Sequence, residues 1–192
     1  MGRGHSLSGE DAEQEVRDAH YRLPAIVLHW LLAVLIIGML FLGYFMVDIP
    51  RSTPARGFYF NLHKSIGVLV GILVLVRIGW HLHNTVPPLP ADMAKWEIWG
   101  ARWGHRALYL LMVAVPATGY ISSSFNKFGV KFFGIALPSW GWDDKPLREL
   151  FASMHSALAM AFAVLIAVHV LAALKHALLD RDHIFRRMLP RR

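Results

Sequence analysis

Cysteine is absent from all 192 residues. That excludes a disulfide framework, a thiolate-held iron–sulfur cluster and a C-x-x-C-H attachment site. Charge is also scarce: 17% of residues are Asp, Glu, Lys or Arg, against 55% hydrophobic and a mean hydropathy of +0.40, too apolar for a soluble globule. There is no internal repeat and no low-complexity tract. The net charge of +7 does not gather into one basic stripe but is spread around apolar runs, which argues against nucleic acid as a partner and for a lipid bilayer.

Four stretches are long and apolar enough to cross a bilayer, which takes roughly twenty such residues. They fall near residues 25–47, 63–80, 103–125 and 153–178. The first, "AIVLHWLLAVLIIGMLFLGYFMV", is too long, and too lacking in a small-residue cleavage site, to be a secretory signal. The third is interrupted by Pro116 and Gly119, which membrane helices tolerate where neighbours satisfy the freed backbone groups. The expected fold is all-α: an integral membrane four-helix bundle over residues 23–190, preceded by a flexible cytoplasmic tail over residues 1–22. Thirteen of the twenty Lys and Arg lie on one side of this arrangement. The other seven are Arg51, Arg56, Lys64, Lys127, Lys131, Lys145 and Arg148. The positive-inside rule puts both termini of a multi-pass membrane protein in the cytoplasm. Trp30, Trp80, Trp96, Trp99, Trp103, Trp140 and Trp142 fit an interfacial aromatic belt. The long second outer loop, with aromatics between lysines, suits a surface-lying or re-entrant segment.

Histidine is the residue the apolar runs should not contain. In "MHSALAMAFAVLIAVHV" His155 and His169 are fourteen positions apart. That spacing is about 21 Å of rise and returns to the same helix face within about 40°. Each has a potential partner at its own depth: His29 lies a turn into the first span at the level of His169, and His63 opens the second at the level of His155. Two layers, each with one imidazole from each of two helices, are what two stacked non-covalent haems require, and bundles build cofactor sites in this way. His29 and His169 would then hold the inner iron, and His63 and His155 the outer. With both axial positions filled, electron transfer is expected rather than oxygen binding. Arg77 is placed to reach a propionate of the inner haem, while Arg51, Arg56 or Lys64 serve the outer one. Gly67, Gly71, Ala172, Ala173 and Ala33 offer room beside the ligands, or equally room for helix packing. His105 and His176, near the cytoplasmic ends of their helices, are explained equally as groups facing a quinone headgroup and as interfacial histidines. His5, His20, His81, His83 and His183 read as solvated.

The motifs "LHW" at 28–30, "LHKSIG" at 62–67, "VR" at 76–77 ahead of "VPPLP", "GHRALYLLMVAVPATGY" at 104–120, "MHSALA" at 154–159 and "VHVLAALKH" at 168–176 resemble the bacterial cytochrome b561 family, small diheme membrane proteins. The resemblance runs from about residue 23 to 190 and implies that His29, His63, His155 and His169 are the four haem b ligands. It implies a function similar to that of quinone-pool electron carriers. One such activity is superoxide oxidation at the outer face with ubiquinone as acceptor, near which His105 and His176 would lie. The basic outer loops favour an anionic donor, superoxide or a redox protein. The alternatives are a cytochrome b anchor subunit passing electrons between a hydrogenase or dehydrogenase partner and quinone, and a haem-free transporter or scaffold. The last would be colourless.

Overall fold

A computed structural model of the chain describes residues 20–190 except 86, 90–92, 139 and 183. Four long helices dominate: α1 (Leu23–Val47), α2 (Pro54–His83), α3 (Lys95–Ser124) and α4 (Lys145–Lys175). All four have the length and composition to span a membrane. Proline sits in the first turn of α1, α2 and α4, where its missing N–H is no loss and its fixed φ is already helical. Asp144 caps α4 by accepting from the Leu147 N–H at 3.0 Å.

Three helices start earlier than hydropathy alone indicates, because polar and aromatic residues ahead of each apolar run continue the helix. His63 therefore does not open α2, which begins at Pro54, but sits well inside it. Past Lys175 the chain makes a π turn (His176–Asp180), reverses through Arg181 at φ 52°, and forms a 3-10 turn (Phe185–Met188). Of the expected tail, residues 1–19 lie outside the described residues, as do His5 and His183.

The core is small: Leu32, Ile36, Val70, Val74, Met112 and Phe162 form its buried centre. Most large apolar side chains face outward, as they do when lipid rather than protein is their solvent. The helices do not pack evenly. The backbones of α1 and α2, of α2 and α3 and, most extensively, of α3 and α4 approach closely, whereas α4 meets α1 and α2 chiefly through side chains such as Phe162. The interior histidines face one another across the gap between α4 and the α1–α2 pair.

At the end away from the termini, the α3–α4 connection folds into a two-stranded antiparallel hairpin, β1 (Lys131–Phe132) with β2 (Ile135–Ala136), which the all-α expectation did not contain. Its turn residues Phe133 and Gly134 have φ of 46° and 95°, the sense that two-residue hairpins require. The buried Ser65 hydroxyl accepts from the Phe133 N–H at 3.0 Å and lies 3.0 Å from the Lys131 carbonyl, while Lys64 donates to the Gly129 carbonyl at 3.0 Å. The hairpin is thus fastened to α2 two residues beyond His63.

Opposite, at the termini end, the C-terminal turn is laced across the bundle. Trp30 Nε1 donates to the Met188 carbonyl at 2.8 Å, and Arg187, 3% exposed, donates to the Pro88 carbonyl at 2.6 Å. Trp30 is therefore a structural donor as well as an interfacial aromatic.

Candidate functional site

At the hairpin end, the ring centroids of His63 (α2) and His155 (α4) are 6.1 Å apart with planes at 90°. Toward the termini, His29 (α1) and His169 (α4) are 6.3 Å apart at 78°. An iron bound to two imidazole nitrogens at about 2 Å apiece, each nitrogen about 1 Å from its ring centroid, sets the centroids about 6 Å apart. Both pairs have that separation, and both bridge the gap between α4 and the α1–α2 pair.

The rings of the hairpin-end pair are backed by glycines. A Cβ added at Gly119 would lie 3.0 Å from both Cε1 and Nδ1 of His155, and one at Gly43 would lie 3.3 Å from Cε1 of His63. Any side chain at Gly119 would require the His155 ring to give by a few tenths of an ångström. His155 Nδ1 lies 2.9 Å from the Val115 carbonyl, beside the break that Pro116 makes in the α3 ladder, so it donates there and leaves Nε2 for a metal. Among the described residues, His63 Nδ1 is buried without a hydrogen-bond partner. A ring so placed gains from coordinating a metal what it lacks in hydrogen bonds, and the donor set fits haem. Sequence reasoning missed Gly43 and Gly119 as site residues. Gly67 and Gly71 instead face Met39 and Pro116, where they serve helix packing.

A third imidazole joins the other pair. The ring of His105 is 5.5 Å from that of His169, and its Nδ1 lies 2.7 Å from the Ala101 carbonyl of its own helix. Arg77 donates to the Ala25 carbonyl at 3.2 Å and lies over the Tyr109 ring at 5.8 Å. It borders a cavity of about 30 Å³ shared with Tyr21, Arg22, His81, Tyr109 and Met188. Burial raises the Tyr21 phenol above its usual value, so the cavity has a neutral hydroxyl donor beside its two guanidinium groups. His81, expected to be merely solvated, stacks on Tyr109 at 5.4 Å.

His176 lies elsewhere, at the end of α4. Its Nδ1 is 2.6 Å from Asp182 Oδ2 and 3.2 Å from Asp180 Oδ2. Lys175 joins Glu97 at 2.7 Å and Asp180 at 2.5 Å. Ligand atoms of Glu97, His176 and Asp180 lie within 4.8 Å of one another, but the Lys175 ammonium already bridges the two carboxylates, and nothing points to a further cation.

Six basic residues of the hairpin end divide into three groups. Arg56 donates to the Val47 and Ile49 carbonyls, and Lys64 to Gly129, so these two tie down the connections around them. Lys145 and Arg148 pair with Glu149 and Asp143. Lys127 and Lys131 are exposed and border a cavity of about 310 Å³ with Trp142 and Asp143.

Lipid-facing helices with interior imidazoles paired across a gap define a class, the integral membrane b-type cytochromes. Within it, a profile of the prokaryotic cytochrome b561 family matches residues 20–191, and the chain belongs to that family. As a member, it binds haem b and carries electrons in a bacterial membrane that it crosses several times. It is 33% identical to cytochrome b561 homolog 2 of Escherichia coli, over 88% of this chain and 90% of that one. It is 25% identical to the probable superoxide oxidase CybB of Yersinia pestis, over 90% of this chain and 97% of that one. It is 28% identical to cytochrome b562 of Cereibacter sphaeroides, over 88% of this chain and 94% of that one.

Proposed function

We propose that this cytochrome holds two haems and moves single electrons from superoxide outside the cell to ubiquinone at the cytoplasmic side of the inner membrane. The observation that carries the reading is the pair of imidazole layers, 6.1 and 6.3 Å between centroids, on one face of α4. His63 and His155 are assigned to an outer haem, His29 and His169 to an inner one. The excess of Lys and Arg at the termini end supports a cytoplasmic placement of that end. Residues 23–190 are the electron-transferring domain.

Haem b held by the two imidazoles of each pair would supply one-electron chemistry. The protein's own residues do the rest. Gly119, Gly43 and the Val115 carbonyl fix the outer rings. Arg77, Arg22 and the neutral Tyr21 hydroxyl offer donors to carboxylate groups beside the inner pair. Lys127 and Lys131 give the outer face a positive field that raises the local concentration of a small anion. Two superoxide anions each lose one electron and leave as dioxygen, while a quinone taking up those two electrons and two protons becomes quinol. His105 and His176 are the residues proposed to lie near it. The similarity to a probable superoxide oxidase favours this donor over a docked dehydrogenase.

In the test, purified protein is mixed with superoxide and then with ubiquinone. Haem absorbance should report rapid reduction and then quinone-dependent reoxidation with no second protein present. Reduction that requires a co-purifying iron–sulfur partner would replace this reading with the anchor subunit. A colourless preparation would end both.

A further inference from the structure

The two imidazoles of the hairpin-end pair are held unequally. Among the described residues, His63 Nδ1 has no hydrogen-bond partner, whereas His155 Nδ1 donates to the Val115 carbonyl at 2.9 Å. We infer that Thr118 tunes the outer haem through that carbonyl: its hydroxyl donates to the same oxygen, limits the pull of that oxygen on His155, and so keeps the outer iron easier to reduce. The inference rests on the two-haem reading above and gives a role to a buried hydroxyl that the reading leaves unused.

The geometry is that of one oxygen with two donors. Thr118 Oγ1 lies 2.9 Å from the Val115 oxygen and 2.8 Å from that of Ala114, so its single proton is divided between them. The Val115 oxygen thus meets a hydroxyl of its own helix and an imidazole of α4. Thr118 is 8% exposed, which leaves little water to compete for the hydroxyl. The local sequence assembles this turn: Pro116 interrupts the ladder just after Val115, and Gly119, next to Thr118, lets the His155 ring come close.

Serine and threonine inside helices commonly bond back to carbonyls three or four residues earlier, and Ser124 and Ser153 do so here. Such a bond alone only satisfies a hydroxyl. What separates Thr118 is its acceptor, because among the described residues no imidazole reaches the Tyr120, Glu149 or Leu150 carbonyls that those serines use.

The sign follows from electron density. An imidazole whose Nδ1–H is drawn strongly to an acceptor is a more basic metal ligand, and a more basic ligand favours the oxidised, more positive iron. A hydroxyl proton on the same oxygen draws density from it and weakens that pull, and the low dielectric of the bundle interior enlarges both effects. Electrons from an outer donor enter at this pair, so the hydroxyl favours their entry. Thr118 touches neither the ring nor the metal position; it is a positioning residue that acts through Val115 and His155.

The experiment is redox titration of the full, haem-loaded chain. Thr118→Val keeps the branched shape and removes the hydroxyl, while Thr118→Ser keeps the hydroxyl. In Thr118→Val the outer haem should become about three- to tenfold harder to reduce, the larger change corresponding to about 59 mV for a one-electron couple. The inner wave and the haem content should match wild type. Thr118→Ser should keep the wild-type potential, and Ser124→Ala, which deletes another buried hydroxyl of α3, should shift neither wave. Thr118→Ala repeats the measurement if the valine variant loses the outer haem. An outer potential that stays or rises without the hydroxyl, a Thr118→Ser protein that matches Thr118→Val, or loss of the outer haem from both the valine and alanine variants overturns the inference while the two-haem reading stands. Wild-type protein with a single redox wave overturns both.

Discussion

Gly119→Ala is the smallest change that should unseat one haem and spare the other. The new methyl would stand 3.0 Å from Cε1 and Nδ1 of His155 and 3.7 Å from Cγ, where carbon contacts normally settle at about 3.5–4.0 Å. The ring has to withdraw by about 0.5 Å, and its 2.9 Å bond to the Val115 carbonyl lengthens with it. Overpacking of this kind costs about 1–3 kcal/mol, and a weakened hydrogen bond about 0.5–1.5 kcal/mol. Together they give about 1.5–4.5 kcal/mol, or about a 10- to 1,500-fold weaker hold on the outer haem. The inner pair, on other turns of the helices, should be untouched. Alanine is otherwise welcome inside a helix, so the variant should fold. Gly43→Ala, whose methyl would meet His63 at 3.3 Å, should show a milder form of the defect, and Gly38→Ala, with nothing within 4 Å, none. Haem content per chain after gel filtration, with a redox titration to identify which wave is lost, measures the series. A Gly119→Ala protein that keeps both waves at wild-type potentials, or loses the inner one, would refute the packing argument.

Other expectations follow from the same geometry. Arg77→Gln removes a positive charge beside the inner pair, which disfavours the oxidised, more positive iron; its loss should lower the inner potential by about 20–60 mV and leave the outer within error, as read by potentiometric titration. Lys127→Glu with Lys131→Glu should slow haem reduction by superoxide several-fold and flatten its dependence on ionic strength, because the steering field is screened over about 10 Å at 0.1 M salt; an unchanged salt slope in stopped-flow would locate donor entry elsewhere. Ser65→Ala deletes the hydroxyl that anchors the hairpin and should expose the Phe133–Gly134 turn to limited proteolysis at least threefold faster, with both haems retained.

Much of this molecule is readable from its sequence, and for a physical reason. Lipid imposes length and composition on each span, so four runs of the right size announce four helices, and the 3.6-residue period then assigns depth and face to each histidine. That reasoning pairs His29 with His169 and His63 with His155, and these rings stand side by side in the structure. Helix starts were less legible because Pro54, Lys95 and Lys145 begin helical turns in polar, aromatic segments that hydropathy does not score. The hairpin is not legible in the sequence because two-residue strands carry no periodic signal, although "FFG" at 132–134 contains the glycine its turn needs. Gly43 and Gly119 were invisible as ring supports because their role depends on a neighbouring helix, whereas Gly67 and Gly71 drew attention only by lying near His63 in sequence. The π turn at His176–Asp180 has no sequence signature.

The central claim is that four histidines grip two irons in two fixed pairs. Counting haem b per chain by pyridine haemochrome, together with redox titration of four single alanine variants, tests it most directly. Wild type should hold two haems. His63→Ala and His155→Ala should each lose the same redox wave, and His29→Ala and His169→Ala should each lose the other. One haem in wild type, or variants that sort into any other pairs, would contradict the account.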